Sequence, residues 1–372
     1  MTPNGSGTRS RSHAEGEAAA RITVDPSGVE AFLSLVESGP IAESDIQAML
    51  RLPVYRKMID ALTYNKEVVA DIYTRALTRD GPDSMLDLED PRSGLMAKDV
   101  QFARMNRSRL RLFLKEVQQE WDPTSSVRLV RKYLPEDCTA QEARVTLLVG
   151  LAQGMQSGNE LLIDLPLSLI LRPEDALKNL TQLISHELHH LWRGSLTAEP
   201  HSADESYRGI VWALTQLEGE GIAMTLVWDG LDAHEAMRRE AEGMIRFFGE
   251  PARELTEEWL SVYDGGHVKY LSELEEAMRS IFNGEVVGEP ATHSVTSVLH
   301  STVDHPVGHE MALRIQLELG QRALTECVSR PYRFLQTYQE AAKFLGNPSV
   351  AYVFDDALIE QIGRQVFARD DS

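Results

Sequence analysis

Apolar residues recur at intervals of three and four along the N-terminal third of the chain, a spacing typical of amphipathic helices. The pattern begins near Ile22. It predicts one helix from Asp25-Pro26 to Gly39-Pro40, a second that Ser44 caps and Pro53 interrupts, and further helices over roughly 65–78 and 98–120. A polar loop containing Gly81-Pro82 and Asp90-Pro91 separates the last two. This part of the chain is therefore predicted to be helical.

The pattern changes between residues 127 and 165, where short runs rich in β-branched residues predict strands. The predicted strands are Val127–Leu134, Arg144–Val149 and Glu160–Leu165. We expect them to form a small, mostly antiparallel sheet, with the third strand lining a cleft where an extended peptide could pair with it. From Pro173 nearly to the end the spacing is helical again. This order of elements predicts a mostly helical α+β fold.

These changes of pattern suggest four parts. Residues 1–21 are small, polar and basic without an apolar segment, so we expect a disordered leader and not a secretory signal. A helical region at 22–122, a core at 123–230 with the sheet and two candidate site helices, and a helical region at 231–372 follow. No run of about 18 apolar residues occurs, so we expect a cytoplasmic protein that does not span a membrane.

The charge balance limits the possible partners. The 372 residues carry a formal net charge of −20, and 42% of them are hydrophobic, enough for a sizeable core. A surface this acidic repels phosphate backbones and anionic lipids, so we expect neither nucleic acid nor a membrane as partner. Cys138 and Cys327 are too few for a disulfide scaffold or a cysteine-based zinc site, and we expect both to be buried free thiols.

Residues 184–192 read ISHELHHLW and contain the pattern H-E-x-x-H. Positions i and i+4 of a helix differ by about 40° around the axis and by one turn along it, so His186 and His190 can converge on one metal ion. Glu187 lies beside them and can reach a water molecule at the metal. His189 points away from this pair, so we expect it to support a ligand or to lie on the surface. The motif predicts a zinc site with a catalytic glutamate.

A catalytic zinc ion usually has three protein ligands, so a third is needed. No further histidine follows at the spacing found in metzincins, which leaves a carboxylate on the next predicted helix, at 204–228. That helix carries Glu218 and Glu220 on either flank of its apolar face, about 200° apart. The helical wheel alone does not choose between them.

A resemblance to a known family favours one of the two. Glu220-Gly221-Ile222-Ala223 looks like the E-G-x-A segment that carries the zinc-binding glutamate of many gluzincins, and Gly308-His309-Glu310-Met311-Ala312 looks like a later G-x-x-M-A segment. With the HExHH helix, the whole resembles an uncharacterised family of proposed zinc-dependent peptidases, over about Ile22 to Tyr338. The resemblance implies a zincin-like fold, Glu220 as the third zinc ligand, and a peptide or small amide as substrate. Relatives often have an aromatic residue at the position of His309.

Hydrolysis of an amide passes through a negatively charged tetrahedral oxygen, which a histidine or tyrosine commonly stabilises. His300, His305 and His309 cluster before a predicted helix. We favour His309 for this role, then His305; each could equally be a hydrogen-bonded loop or helix-start residue.

The function these features predict is a zinc-dependent hydrolase in which Glu187 activates the attacking water. One alternative is a hydrolase of a non-peptide amide or ester, because the same chemistry serves those bonds. Another is a zinc-binding regulatory protein without turnover, which has no use for a base at position 187. The sequence leaves the substrate, the natural metal and the oligomeric state open.

Overall fold

The computed structural model describes residues 21–62, 64–78, 91–171, 173–229, 232–300 and 303–367. Residues 1–20 of the predicted leader and the predicted loop with Gly81-Pro82 and Asp90 lie outside the described residues. No helix among the described residues combines the length and apolarity needed to cross a bilayer.

The N-terminal region is a strand followed by helices. Its elements are β1 (Ile22–Asp25), α1 (Ser27–Glu37), α2 (Glu43–Leu50), α3 (Pro53–Ala61), α4 (Lys66–Thr78), α5 (Pro91–Met105), α6 (Arg107–Glu120) and α7 (Pro123–Arg131). The helices confirm the predicted pattern, with the segment 98–120 divided between α5 and α6. The predicted cap at Ser44 is wrong, because α2 begins at Glu43 after the N-cap Ala42. Pro53 takes the first position of α3, where its missing N–H costs nothing.

The predicted strand Val127–Leu134 is wrong, because most of this segment belongs to α7. The Asp122 side chain caps the helix by accepting a hydrogen bond from the Thr124 N–H, and Pro123 takes the first helical position. The buried side chains Val130, Tyr133 and Leu134 lie three and four residues apart. A strong helix start therefore outweighs the β-branched composition.

A four-stranded mixed sheet follows. Its remaining strands are β2 (Ala143–Leu148), β3 (Gly154–Ser157) and β4 (Glu160–Asp164), and the strand order is β1-β2-β4-β3. The pairs β1–β2 and β2–β4 are parallel, and only β3–β4 is antiparallel. The expected mostly antiparallel sheet is therefore wrong. The helices between β1 and β2 allow their parallel pairing, and β2 and β4 are parallel because the chain reverses direction in β3 between them. The short turn between β3 and β4 requires antiparallel pairing.

β4 confirms the predicted third strand, but it lies inside the sheet with β2 on one side and β3 on the other. It therefore has no free edge for a peptide. The sequence had suggested that a peptide could pair with this strand, and that prediction is wrong. The short strand β3 lies at the edge of the sheet instead, beside the helix that carries the H-E-x-x-H motif.

The rest of the chain is helical, as predicted. The elements are α8 (Leu165–Leu171), α9 (Ala176–Arg193), a 3₁₀ turn (Glu205–Tyr207), α10 (Arg208–Val227), α11 (Ala233–Phe248), α12 (Glu250–Ser261), a π-helical turn (Val262–Gly266), α13 (His267–Phe282), α14 (Glu289–Thr296), α15 (Asp304–Leu319), α16 (Gln321–Thr325), α17 (Pro331–Leu345) and α18 (Asp356–Gln365). With the small sheet, they confirm the α+β fold.

One hydrophobic core runs through the described chain from α1 to Phe367, and α9 and α10 pack against each other within it. A smaller cluster joins α10 to α11 and the π-helical turn, with Met224, Trp228, Met237 and Tyr263 among its residues. Cys138 and Cys327 are free and buried, as expected.

Candidate metal centre

α9 brings the residues of the H-E-x-x-H motif to one side of the helix. Leu180, Ile184 and Leu188 are fully buried along its core face. The other side of the helix holds His186 and His190, whose Nε2 atoms lie 3.1 Å apart. The helix spacing therefore converges the two imidazoles as the sequence predicts.

Glu220 of α10 completes a triad. Its Oε2 lies 3.3 Å from His186 Nε2 and 3.2 Å from His190 Nε2. Zinc bonded to nitrogen at 2.0–2.1 Å in tetrahedral geometry places its ligand atoms about 3.3 Å apart. All three separations are close to that value, so the residues fit a zinc ion at the distances of a real site. Among the described residues, this is the group of three histidine, cysteine or acidic side chains that could hold a metal.

The contacts of Glu220 Oε2 support the same assignment. The atom is buried and, among the described residues, makes no hydrogen bond of ordinary geometry, although imidazole nitrogens surround it. A buried carboxylate oxygen is costly unless positive charge surrounds it, and a cation at the centre of the triad would supply that charge. Burial alone would raise the pKa of Glu220, but the imidazoles of His190 and His305 outweigh burial and hold it well below its usual range. Glu220 is therefore ionised, as a metal ligand must be.

Glu218, the alternative ligand, faces elsewhere. Its side chain is fully buried and forms an ion pair with Arg193, whose Nε lies 3.1 Å from Oε1 and 3.0 Å from Oε2. The backbone N–H of Ser329 also donates to Glu218 Oε1, at 3.0 Å. Its acceptor sites are thus filled by a structural network, and the structure brings only Glu220 to the two histidines.

Glu187 lies next to the triad with its carboxylate against the edge strand. A Cβ atom added to Gly154 of β3 would lie 2.7 Å from Glu187 Oε1 and 2.9 Å from its Cγ. Burial raises the pKa of Glu187 to about 7; His186 and His305 oppose this rise and Glu220 adds to it. A carboxyl group with a pKa near neutrality is suited to accept and return a proton.

His305 reaches the triad from the first turn of α15. Its Nε2 lies 3.0 Å from Glu220 Oε2, and its Nδ1 lies 2.7 Å from Asp304 Oδ1. Its ring is nearly parallel to that of His186, with centroids 6.2 Å apart. Burial by itself would lower its pKa, but Glu220 and Asp304 outweigh burial and raise it to about 10. His305 is therefore a protonated donor at the triad.

The structure does not bring His309 to the triad. Its side chain is fully buried, Nδ1 lies 2.8 Å from the Tyr263 hydroxyl, and Nε2 has no hydrogen-bond partner among the described residues. Burial lowers the pKa of His309 to about 4, so the ring is neutral. The Nε2 atom of His300 lies 3.3 Å from Glu258 Oε1. Of the three histidines singled out in this segment, His305 is the one at the site.

His189 is fully buried, so the expectation that it might lie on the surface is wrong. Neither of its ring nitrogens has a hydrogen-bond partner among the described residues, and burial lowers its pKa well below the usual value.

Two further residues at the site that the sequence did not single out are Gly154 and Asp304. The Gly-rich turn before β4 and the acid next to His305 were the available signals for them.

Close contact between α10 and α15 positions Glu220 and His305 together. A Cβ atom on Gly221 would lie 2.3 Å from Gly308 O, and one on Gly308 would lie 2.5 Å from Leu217 O. From the sequence alone, the missing side chain of Gly221 suggests a close approach of α10 to the H-E-x-x-H helix. The structure shows that it allows the close approach of α15 instead.

A substantial cavity of about 530 Å³ adjoins this site. His186, Glu187 and His305 lie in its wall, together with Gly154 and Trp259. The Trp259 ring stacks on that of His305 with centroids 6.2 Å apart. A molecule in the cavity would therefore be in contact with Glu187 and with the protonated imidazole.

Residues 46–346 match a protein family described as "Putative zinc dependent peptidase (DUF5700)". No curated protein and no solved structure matches the chain. The matched segment covers more than half of the 372 residues and includes the whole triad, Glu187 and His305. The chain therefore belongs to this family of zinc-dependent peptidase candidates.

Proposed function

We propose that this protein is a zinc-dependent hydrolase of the gluzincin type that cleaves peptide or other amide bonds. The observation that carries the proposal is the convergence of His186, His190 and Glu220 at ligand-to-ligand distances of 3.1–3.3 Å, with the Glu187 carboxylate beside them. Membership of the family supports zinc and hydrolysis at the same coarse level.

His186, His190 and Glu220 would hold the metal. When bound, zinc supplies a Lewis acid that polarises a carbonyl oxygen and lowers the pKa of water toward neutrality. Two neutral imidazoles and one carboxylate leave one positive charge on the ion, which favours the development of negative charge nearby.

Glu187 acts as the proton carrier. Its carboxylate faces the cavity and lies between the triad and the edge strand, so a water molecule at the site is within its reach. It takes a proton from the attacking water and passes it to the leaving nitrogen.

His305 supplies the positive charge for the tetrahedral oxygen, in place of His309. Its Nδ1 is fixed by Asp304, and the proton on Nε2 points into the group of site atoms. The Asp304 carboxylate on Nδ1 favours the protonated form of the ring, which suits a hydrogen-bond donor to an oxyanion.

Replacing Glu187→Gln tests the proposal. The amide keeps the shape of the side chain but cannot accept a proton, so kcat/KM should fall by about 10²–10⁴-fold while bound zinc is retained. Zinc is measured by elemental analysis after dialysis, and activity by the release of new amino groups from a peptide and acyl-amide mixture.

The matched variant is His190→Ala, which removes a ligand and should lose both zinc and activity. A Glu187→Gln protein with normal turnover would contradict the role of the base. Unchanged zinc content in His190→Ala would contradict the triad.

A further inference from the structure

The cavity beside the triad reaches well beyond the space needed for an amide bond. Its walls come from α5, the edge strand β3, and α8 to α12, so it lies between the site helices and the α11–α12 pair. Because Glu187 and His186 form part of one wall, a group that fills the cavity lies next to the bond that the site would cleave.

The walls are mainly apolar and rich in methionine. The methionines are Met96, Met155, Met224, Met237 and Met244, drawn from four different elements. Apart from the site residues, the charged side chains at the cavity are Arg92 and Glu240, and both interact with other protein groups. Methionine side chains are flexible and adapt to apolar ligands of variable shape. The lining thus favours a flexible apolar group over a charged or rigid one.

The volume decides how large that group is. An apolar cavity of about 150 Å³ is large enough for benzene. The present cavity, at about 530 Å³, is more than three times that size. A single phenylalanine or leucine side chain of a peptide would occupy only part of it, so the cavity has room for a longer apolar group.

We propose that the substrate is an amide attached to one long unbranched apolar chain, such as an N-acyl amino acid, with the chain held among the methionines and the amide at Glu187. This inference rests on the proposed hydrolase function. In the reaction, water adds its oxygen to the carbonyl carbon, the C–N bond breaks, and the nitrogen leaves as an amine with the proton carried by Glu187. The products are a fatty carboxylic acid and a free amine.

The test uses the full-length zinc-loaded protein and N-acylglycines with acyl chains of two to sixteen carbons, at concentrations below micelle formation. Each methylene that enters the cavity should raise kcat/KM roughly fourfold, from its burial free energy. We expect the rise to continue to about ten or twelve carbons and then level off, when the cavity is full. Binding of the same series to Glu187→Gln, by calorimetry, should show the same dependence without any turnover.

A variant that fills the cavity adds a second readout. Met244 is only half-buried, so Met244→Trp is compatible with folding and should move the optimum of kcat/KM to shorter acyl chains. The matched control is Met105→Trp, because Met105 is 72% exposed and does not line the cavity. It should leave the whole series unaltered.

The two proposals fail in different ways. Equal rates and affinities for N-acetylglycine and N-dodecanoylglycine, or a clear preference for peptides without long chains, would overturn the acyl-chain proposal and leave the hydrolase standing. Binding that strengthens with chain length but no hydrolysis of any amide would keep the cavity assignment and overturn the hydrolase.

Discussion

Glu218 and Glu220 lie two positions apart on one helix and face in different directions. Glu220 contacts imidazoles, whereas Glu218 contacts a guanidinium group and a backbone N–H. A metal ion would balance the charge of Glu220. Glu218 already has its ion-pair and hydrogen-bond partners and needs no metal. Their substitution should therefore separate metal binding from stability.

Glu220→Gln should weaken zinc binding strongly, because a neutral amide is a poor ligand. Glu218→Gln should keep zinc but lower the free energy of unfolding by about 3–5 kcal/mol, since it leaves the largely buried Arg193 without its counter-charge. Zinc titration and urea unfolding measure the two effects. Zinc loss in Glu218→Gln alone would reverse the assignment.

Gly154 leaves room for the carboxylate of Glu187, the proposed base. A methyl group there would lie 2.7 Å from Glu187 Oε1, so Gly154→Ala should displace the base and reduce kcat/KM about 100-fold, with zinc content unchanged. Glu187→Asp shortens the side chain by one methylene, so Gly154→Ala should reduce kcat/KM much less in the Glu187→Asp protein. Kinetics of the single and double variants measure this coupling; additive effects would show that Gly154 acts in another way.

At the scale of elements, the α10–α15 contact determines the distance between Glu220 and His305. Gly221→Ala would place a Cβ atom 2.3 Å from a backbone oxygen, which cannot rotate away. The helices must separate, so we expect a loss of about 1–3 kcal/mol in unfolding free energy and weaker zinc binding.

Gly219→Ala is the matched control on the same helix. Its Cβ would meet only the Arg193 side chain, at 3.5 Å, an ordinary contact. Because alanine favours helices more than glycine, this variant should be neutral or slightly more stable in thermal unfolding. Equal destabilisation by both variants would argue against the close contact.

Helices were easier to predict than strand pairings. Periodicity located α9 and α10 because one face of each is buried in the core over several turns. It missed β1 and β3, which have four residues each and too few side chains for a pattern. Parallel pairing of β1 with β2 depends on contacts about 120 residues apart, which local sequence does not encode. The zincin-like assignment stays a prediction.

The site residues that lie together on one helix could be predicted from the sequence. His186, Glu187 and His190 follow from the i, i+4 geometry alone, whereas Glu220 needed the resemblance, because the helical wheel treats it and Glu218 alike. The sequence could not show that His305, and not His309, lies at the triad. Both lie on α15, and only the packing of that helix determines which imidazole faces the triad.

At the scale of the whole molecule, stability should depend on a buried carboxyl pair distant in sequence from the H-E-x-x-H motif. Asp99 and Asp164 are fully buried, and both accept hydrogen bonds from the segment 150–152 that leads into β3. Burial and then the charge of Asp164 raise the pKa of Asp99 well above its usual range. Asp99 Oδ1 has no donor among the described residues, which a proton shared with Asp164 would supply.

The pH dependence follows from this shift. Above the unfolded-state pKa near 3.8, the folded protein holds a proton that the unfolded chain releases, so stability falls as pH rises, by up to about 1.4 kcal/mol per unit, until the folded-state pKa is reached. Asp99→Asn mimics the protonated acid and removes this loss. Its advantage over the wild type in urea unfolding should grow from pH 4 to pH 8.

Asp99→Ala is the control for that prediction. It removes the same titrating carboxyl but also the acceptor of the Gly150 N–H, so it should be less stable than Asp99→Asn throughout this range. A constant difference between Asp99→Asn and the wild type at all pH values would contradict the shared proton.

The first strand has a practical consequence for anyone who shortens this protein. The family match begins at residue 46, but β1 pairs with β2 from Ile22 to Asp25, and Phe32 and Leu33 of α1 are fully buried in the core. A fragment trimmed to the match would leave β2 with a row of unsatisfied amides beside bare apolar surface. Such an exposed edge pairs with strands of other molecules, so the shortened protein should aggregate.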